Sequence, residues 1–332
     1  MSNAIYLHAK NLSVGYVNGS QKNLLFENID LELRAGELVC FMGANGIGKS
    51  SLIRTLAGLQ TPLSNATITA NNPRVERNVN RDGLERAVSV VLTDPLHAVN
   101  MTVIELVTLG RYPYLDWNVT LTNEDRDVIH QAIQDTHIQS LNNKKLYELS
   151  DGQLQMAMIA RALAQDTPVI LLDEPTAHLD LNNRVEIMNL LRRLARTANK
   201  AILVATHELD LALQTADLIW LAGQDKKLII GIPEDLVLNG SFDEIFQLKG
   251  FDLKTGKVFH EAWRNKSVNL IGDGYEYLWT KNALERNGFI VDNKASSKIQ
   301  ITSDANSITW IIGEQKLNSL SELINALSNV EW

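Results

Sequence analysis

The chain has 332 residues, 45% apolar and 21% charged, which is typical of a globular protein of about two domains. Its 31 basic and 39 acidic side chains give a net charge of −8, which argues against a nucleic-acid partner. The single cysteine, Cys40, excludes an internal disulfide and favours a buried thiol in a reducing, intracellular compartment. No run of 18 apolar residues occurs, so the sequence predicts no membrane-spanning helix.

Strand-like and helical patterns alternate in the first part of the chain. Two strand-like segments, 5–15 and 25–33, follow each other without a helical pattern and predict an antiparallel β subdomain. A strand pattern at 37–42 and continuous apolar runs at 169–172 and 201–205 predict strands of a largely parallel sheet, because helical patterns separate them. The predicted fold class is therefore α/β.

The last part of the chain, residues 250–332, has short strand patterns around two helical patterns and predicts a small separate α+β domain. Gly272-Asp-Gly274 indicates a tight strand-to-helix turn or, less strongly, an anion site at the helix N-terminus. Trp310 and Trp332 offer aromatic surface suited to an interface. We expect a regulatory or dimer-stabilising accessory domain.

A glycine-rich motif follows the first predicted buried strand and precedes a helical pattern. Residues 43–50 match the pattern G-x-x-x-x-G-K-[ST] in full. In such a P-loop the backbone N–H groups surround phosphate oxygens, Lys49 reaches the β- and γ-phosphates of ATP, and Ser50 binds Mg²⁺. The candidate nucleotide-binding residues here are Gly43, Ala44, Asn45, Gly46, Ile47, Gly48, Lys49, Ser50 and Ser51.

Two adjacent carboxylates, Asp173 and Glu174, end the apolar run at 169–172. A parallel strand delivers them to the same sheet edge as the P-loop, where Asp173 can hold Mg²⁺. Glu174 can accept a proton from the attacking water, so it is the candidate general base.

Leu149-Ser150-Asp151-Gly152-Gln153 contains a capping-box pattern, Ser150-x-x-Gln153, at the start of a helical pattern. One interpretation is a helix cap and nothing more. The other is a second anion site at a helix N-terminus, which Gly152 allows a ligand to approach closely. The spacing alone favours neither.

These three elements, in this order, resemble the ATP-binding cassette (ABC) ATPases, and the resemblance covers residues 1–245. It implies a P-loop NTPase cassette with a helical subdomain at about 95–165. LSDGQ resembles that family's signature, usually LSGGQ. The resemblance further implies three site residues: Tyr16 stacks on adenine, Asp180 belongs to the D-loop, and His207 contacts the γ-phosphate.

In that family two cassettes face each other head to tail, so Ser150, Asp151, Gly152 and Gln153 of one subunit close over ATP held by the other. One P-loop and one signature occur in this sequence. The resemblance therefore implies a second cassette, most simply a second copy of this chain.

The segment 101–114 resembles the corresponding part of bacterial importer ATPases for iron–siderophore complexes, haem and cobalamin. The Q-loop glutamine of that family falls on Thr93, whose side chain is too short to copy its reach, and Asp94 is an alternative. The resemblance implies a peripheral subunit at the cytoplasmic face of the inner membrane. Its partners would be transmembrane permease subunits and, indirectly, an extracytoplasmic capture protein.

Two other interpretations stay open at this point. One is a soluble ABC ATPase without a transport role, against which the single cassette and the acidic balance argue. The other is an ATP-gated regulatory module with weak hydrolysis, which Thr93 alone favours.

Overall fold

A computed structural model describes residues 4–19, 21–73, 84–93, 100–115, 120–304 and 307–329. Asp94 and Trp332, both considered above, lie outside these residues. The chain divides into two compact units, residues 1–247 and 248–332. Within the described ranges, no helix is both long enough and apolar enough to cross a bilayer.

The first unit combines two sheets with helices. Its strands are β1 Ile5–Asn18, β2 Gln21–Arg34, β3 Leu38–Gly43, β4 Thr67–Ala70, β5 Val88–Val91, β6 Val169–Asp173, β7 Ala201–Ala205, β8 Leu218–Ala222 and β9 Leu228–Gly231. Its α-helices are α1 Lys49–Leu56, α2 Val103–Thr108, α3 Asn123–Asp135, α4 Asp151–Ala164, α5 Leu181–Thr197, α6 Leu209–Thr215, α7 Pro233–Leu238 and α8 Ser241–Phe246.

The larger sheet has the order β5-β6-β7-β3-β8-β9 and is parallel except for the edge strand β9. Every residue of β3, β6 and β7 is buried, as expected for apolar strands covered on both faces. The smaller sheet, β2-β1-β4, is antiparallel. The predicted α/β class, with its largely parallel core and antiparallel β subdomain, is therefore confirmed.

Cys40 lies in the middle of β3 and is fully buried. Burial raises the pKa of its thiol to about 12, and Asp217 adds to the rise. The thiolate is therefore absent near neutral pH, and the thiol packs as a small apolar group.

The helical segment between β5 and β6 begins with Thr102, whose hydroxyl and the Glu105 carboxylate form the expected capping box of α2. The α-helical pattern ends at Thr108, two residues before the predicted end near Gly110. A 3₁₀ segment, Leu109–Tyr114, follows because Pro113 lacks a backbone donor and disfavours the α conformation before it.

Arg111, within this 3₁₀ segment, ties the helices together. Its Nε donates to Asp125 Oδ1 of α3 at 2.8 Å, and its Nη1 donates to the Ala164 carbonyl at the end of α4, at 3.1 Å. Its guanidinium also lies 4.2 Å from the ring centroid of Tyr114. Burial alone would raise the pKa of Asp125, but hydrogen bonds from Thr122 and Arg111 outweigh it and lower the pKa.

The second unit builds one five-stranded sheet and a short hairpin. Its elements are β10 Phe251–Asp252, β11 Lys257–Val258, β12 Lys266–Ile271, α9 Gly274–Arg286, β13 Phe289–Val291, β14 Lys298–Asp304, β15 Ser307–Ile312, β16 Gln315–Leu317 and α10 Leu320–Asn329. The sheet order is β13-β12-β14-β15-β16, parallel on the β13 side and antiparallel from β14 to β16. This is the α+β arrangement that the sequence predicts.

Trp310 corrects one expectation. It is 6% exposed and belongs to the core of this unit, with Phe289 and Leu323. Its indole Nε1 donates to Thr280 Oγ1 of α9 at 2.8 Å, which satisfies the one polar atom of the ring. Trp310 is therefore a core residue, and its predicted role as interface surface is wrong.

Gly272 and Gly274 form the tight turn between β12 and α9. Both have positive φ angles, 154° and 66°, and a Cβ at Gly272 would lie 3.0 Å from Cβ of Ile301. Asp273 and Glu276 place carboxylates at this helix start. The turn geometry accounts for the glycines, and the acidic neighbours disfavour an anion there.

Arg111→Met should lower the free energy of unfolding by about 3–5 kcal/mol, because it leaves the Asp125 carboxylate buried without its cation. Urea unfolding of the nucleotide-free protein measures the loss. Arg126→Met, on the exposed side of α3, is the matched control and should change stability by less than about 0.5 kcal/mol. A loss below about 1 kcal/mol for Arg111→Met would show that the Arg111–Asp125 ion pair does not stabilise the helical packing.

Candidate functional site

The parallel register brings the candidate residues to one edge of the larger sheet. Ala205 of β7 pairs with Phe41 of β3 on one side and with Asp173 of β6 on the other. The Glu174 N–H then donates to the Ala205 carbonyl at 2.9 Å, which fixes the chain direction just beyond β6. The P-loop at the end of β3 and the two carboxylates at the end of β6 therefore lie beside each other.

The P-loop needs its glycines for two reasons. Gly46 and Gly48 have φ angles of 78° and 110°, a conformation that side chains disfavour. A Cβ at Gly48 would also lie 2.9 Å from Leu25 Cδ1, and one at Gly43 would lie 3.0 Å from the Ala222 Cβ. The loop is thus packed between β2 and β8.

Lys49 starts α1 and is 6% exposed. Its Nζ donates to the Gly43 carbonyl at 3.1 Å and lies 3.9 Å from Glu174 Oε1. Burial lowers the pKa of Lys49, while the negative charges of Glu174 and Asp173 oppose the shift. The ammonium group is therefore held under the loop that would surround phosphate oxygens.

Asp173 is 3% exposed, and its Oδ1 has no hydrogen-bond partner in the part of the chain that the structure describes. Burial raises the pKa of this carboxyl and the charge of Glu174 raises it further. Nearby hydroxyls of Ser50 and Thr93 oppose the rise. The Thr93 hydroxyl donates to the Asp173 main-chain carbonyl at 2.9 Å.

The unsatisfied Asp173 oxygen next to the Ser50 hydroxyl fits Mg²⁺. Mg²⁺ is usually held by one or two protein oxygens together with water and substrate phosphates, so it requires no cage of protein ligands. Accordingly, no group of three or more His, Cys, Asp or Glu side chains that could hold a metal occurs among the described residues.

Glu174 adopts a left-handed φ of 47°, which is strained for a residue with a side chain. Its Oε2 lies 3.4 Å from His207 Nδ1, and His207 is half-exposed. The structure adds two residues that the sequence did not single out. Glu208 Oε1 lies 3.7 Å from His207 Nε2, and Arg184 Nη1 lies 2.8 Å from the same Glu208 oxygen.

Tyr16 lies in β1, where it pairs with Asn23 of β2, two residues from the Leu25 side chain that packs on Gly48. The residue is 49% exposed, and its hydroxyl accepts a hydrogen bond from Asn23 Nδ2 at 2.7 Å. The exposed ring is therefore available to stack on an adenine. It belongs to the smaller sheet, whose Leu25 side chain contacts the P-loop.

The signature residues form a second group. The Ser150 hydroxyl accepts from the Gln153 N–H at 3.3 Å and Gln153 Oε1 accepts from the Ser150 N–H at 3.2 Å, which is the predicted capping box of α4. Asp180 caps α5 in turn, through the Asn183 N–H at 2.9 Å. A Cβ at Gly152 would lie 2.8 Å from the Asn183 side chain, so the signature and the D-loop position meet at Asn183.

A cavity of about 300 Å³ joins parts of both groups. Thr93, Asp151, Asp173 and Glu174 line it, together with His178 from the D-loop segment. Thus Lys49, the two carboxylates and His207 form one cluster, with Thr93 and Asp151 at its side. No sequence pattern predicts the contacts of Glu208, Arg184 or Asn183, although Glu208 directly follows His207.

Comparison with known proteins agrees with this arrangement. A family described as ABC transporter matches residues 26–177, and one described as the iron ABC transporter C-terminal domain matches residues 265–328. An uncharacterised ABC transporter ATP-binding protein of Methanocaldococcus jannaschii is 36% identical over 81% of this chain and 92% of its own length. A petrobactin import ATP-binding protein of Bacillus anthracis is 34% identical over 73% of this chain and 87% of its own.

Two solved structures are similar as well. A metal-chelate type ABC transporter in an inward-facing conformation has a TM-score of 0.64 at 25% identity, covering 74% of this chain and 90% of that one. A dimeric ABC transporter cassette has a TM-score of 0.53 at 26% identity, covering 65% and 93%. With relatives above 30% identity that this chain spans almost completely, the protein belongs to the ABC transporter ATP-binding proteins, and it is an ATPase.

Proposed function

We propose that this chain is the ATP-hydrolysing subunit of an importer and energises uptake of an iron chelate through a separate membrane permease. The observation that carries the hydrolytic part is the buried Asp173 oxygen without a partner, set beside Ser50, Lys49 and Glu174. An isolated structural turn has no reason to bury such a group, whereas a magnesium–nucleotide site requires it.

In this proposal each residue has one task. The P-loop N–H groups and Lys49 hold the β- and γ-phosphates of ATP, and bound Mg²⁺, on Ser50 and Asp173, would neutralise phosphate charge. Glu174 takes a proton from water as the water oxygen attacks the γ-phosphorus. The bond to the bridging oxygen breaks, and ADP and phosphate result. His207, next to Glu174, orients the water and the γ-phosphate.

A second copy completes the site. The α4 N-terminus, with Ser150 as its cap and Gly152 in its first turn, presents N–H groups and positive potential suited to a phosphate. The signature lies between the P-loop and the two carboxylates in the sequence, as in cassettes that close over the nucleotide of another chain. A dimeric cassette is among the similar structures. Asp180, linked to Gly152 through Asn183, would lie at the same interface.

The proposed cargo and location depend on the relatives. The Bacillus anthracis relative is named for petrobactin import, and the family matched at residues 265–328 is an iron ABC transporter domain. These support an iron chelate over haem or cobalamin. The same likeness supports permease partners, an extracytoplasmic capture protein and a peripheral position at the cytoplasmic face of the inner membrane. Co-purification from membranes, followed by identification of the partner and its cargo, tests this part.

Glu174→Gln should keep ATP binding and reduce turnover by about 10²–10⁴-fold, because the water loses its base while the P-loop stays intact. A phosphate-release assay measures turnover, and size-exclusion chromatography with ATP should show accumulation of a dimer. Glu186→Gln, on the exposed side of α5, is the control and should hydrolyse at the parent rate. Turnover of Glu174→Gln at the parent rate would refute the assigned base and would also favour a different hydrolytic site.

Asp173→Asn should raise the melting temperature of the nucleotide-free protein at pH 7 by about 2–4 °C. Because its pKa is raised in the folded state, the acid contributes stability below its unfolded pKa of about 3.9, and that stability is lost as the pH rises through the folded pKa. The gain should therefore disappear near pH 3–4. Scanning calorimetry measures it.

With magnesium and ATP present, the parent protein should have the higher melting temperature and Asp173→Asn the lower one, because only the parent carboxylate can bind the cation. The exposed Asp127→Asn serves as the charge-matched control and should have the same melting temperature as the parent protein in each condition. If Asp173→Asn kept the full magnesium–ATP stabilisation, Asp173 would not be the magnesium ligand.

Lys49→Ala and Ser150→Arg subunits should each be inactive alone and should regain activity when mixed. In a head-to-tail dimer of the two, both lesions fall in one site and the other site is intact. Phosphate release from the mixture, compared with each subunit alone, is the measurement. A mixture no more active than its components would exclude either the shared site or the independence of the two sites.

A further inference from the structure

The second unit contains a cavity of about 380 Å³, within the size range of small-molecule sites. It lies between the β10–β11 hairpin, the following segment and one face of α9, with Leu320 of α10 contributing an apolar wall. Trp279, Asn282 and Arg286 project from α9 at helical spacings of three and four, so they share that face. All lining residues fall within 256–320, in the second unit, and none of them is a candidate nucleotide-site residue.

The lining carries positive charge that the protein does not neutralise. This charge comes from Lys257 of the hairpin and Arg286 in the last turn of α9, and His260, from the segment after the hairpin, adds an imidazole ring to the lining. Across the described ranges, none of these three has an ion pair or a side-chain hydrogen bond. The acid of the lining, Glu285, is already 3.7 Å from the Lys281 ammonium.

Trp279 adds a planar apolar surface to the same cavity. The residue is 66% exposed, whereas Leu284 and Thr280 on the other side of α9 are fully buried in the unit. The core therefore does not need this indole. An exposed indole beside unpaired cations in a chain with a net charge of −8 is a combination that suits an anion with a flat ring.

We propose that this cavity binds a small aromatic carboxylate, whose ring packs on Trp279 while its carboxylate pairs with Arg286 and Lys257. Asn282 provides an amide for a further polar group of the ligand. Arg286 offers the planar donor geometry that matches a carboxylate. This binding activity goes beyond ATP hydrolysis and does not depend on it.

Calorimetric titration of the full chain with 2-naphthoate tests the proposal, with naphthalene-2-carboxamide as the uncharged isostere and cyclohexanecarboxylate as the anion without a flat ring. Saturable binding of 2-naphthoate, one per chain, is expected, and both comparison compounds should bind at least about tenfold more weakly. The titration is repeated with saturating magnesium–ATP. Unchanged affinity supports a separate site, whereas competition would place the ligand at the P-loop and overturn the proposal.

Three variants locate the site. Arg286→Gln and Lys257→Gln should each weaken 2-naphthoate binding by about tenfold, and Trp279→Ala by at least about fivefold. The matched control is Lys316→Gln, an exposed cation of β16 outside the cavity, which should leave affinity unchanged. ATP turnover should equal the parent rate in all four variants, which separates this test from that of the hydrolytic site. Absent binding, equal binding of the carboxamide, or affinity unaffected by the cavity variants would each refute the proposal.

Discussion

The order β6-β7-β3 in the larger sheet is the constraint on which the site depends. Parallel strands end at one edge, so the two charged segments meet across β7: the P-loop at the end of β3, and Asp173 with Glu174 at the end of β6. No side chain from β7 is needed in the site, and its small Ala205 serves as a spacer whose carbonyl holds the Glu174 N–H. The apolar composition of these strands stabilises the sheet, and their register positions the chemistry.

The helical segment between β5 and β6 also helps to position candidate site residues, here through close packing and side-chain hydrogen bonds. Gly110 lets the chain approach α4 so closely that a side chain there would collide with the Arg161 carbonyl, and Arg111 then bonds to α3 and α4. The motif at 101–114, from which the importer resemblance was inferred, therefore has a packing role within this segment. Its effect reaches the signature because Ser150 caps the helix that Arg111 holds at the other end.

Fold and local motifs could be predicted because their signals are contiguous in sequence: buried runs such as 169–172, and capping boxes such as that of Ser150. Contacts between segments that are far apart in the sequence could not be predicted. The bond from Trp310 to Thr280 joins residues 30 apart, and no period reveals which side of β15 faces the helices. The ion pair of Arg184 with Glu208 and the left-handed Glu174 likewise depend on how elements pack after they form.

In the proposed nucleotide site, burial disfavours the charged forms of Lys49 and Asp173. Burial shifts the pKa of Lys49 downward and that of Asp173 upward, so each group is moved toward its neutral form, while the negative charges of Glu174 and Asp173 favour the ammonium. A ligand that brings phosphate oxygens to Lys49 and a divalent cation to Asp173 would relieve both penalties at once. A phosphate group alone would add to the negative potential at Glu174 and Asp173. The proposed site would therefore favour nucleotide and cation together, and this selectivity would follow from burial as much as from the individual residues.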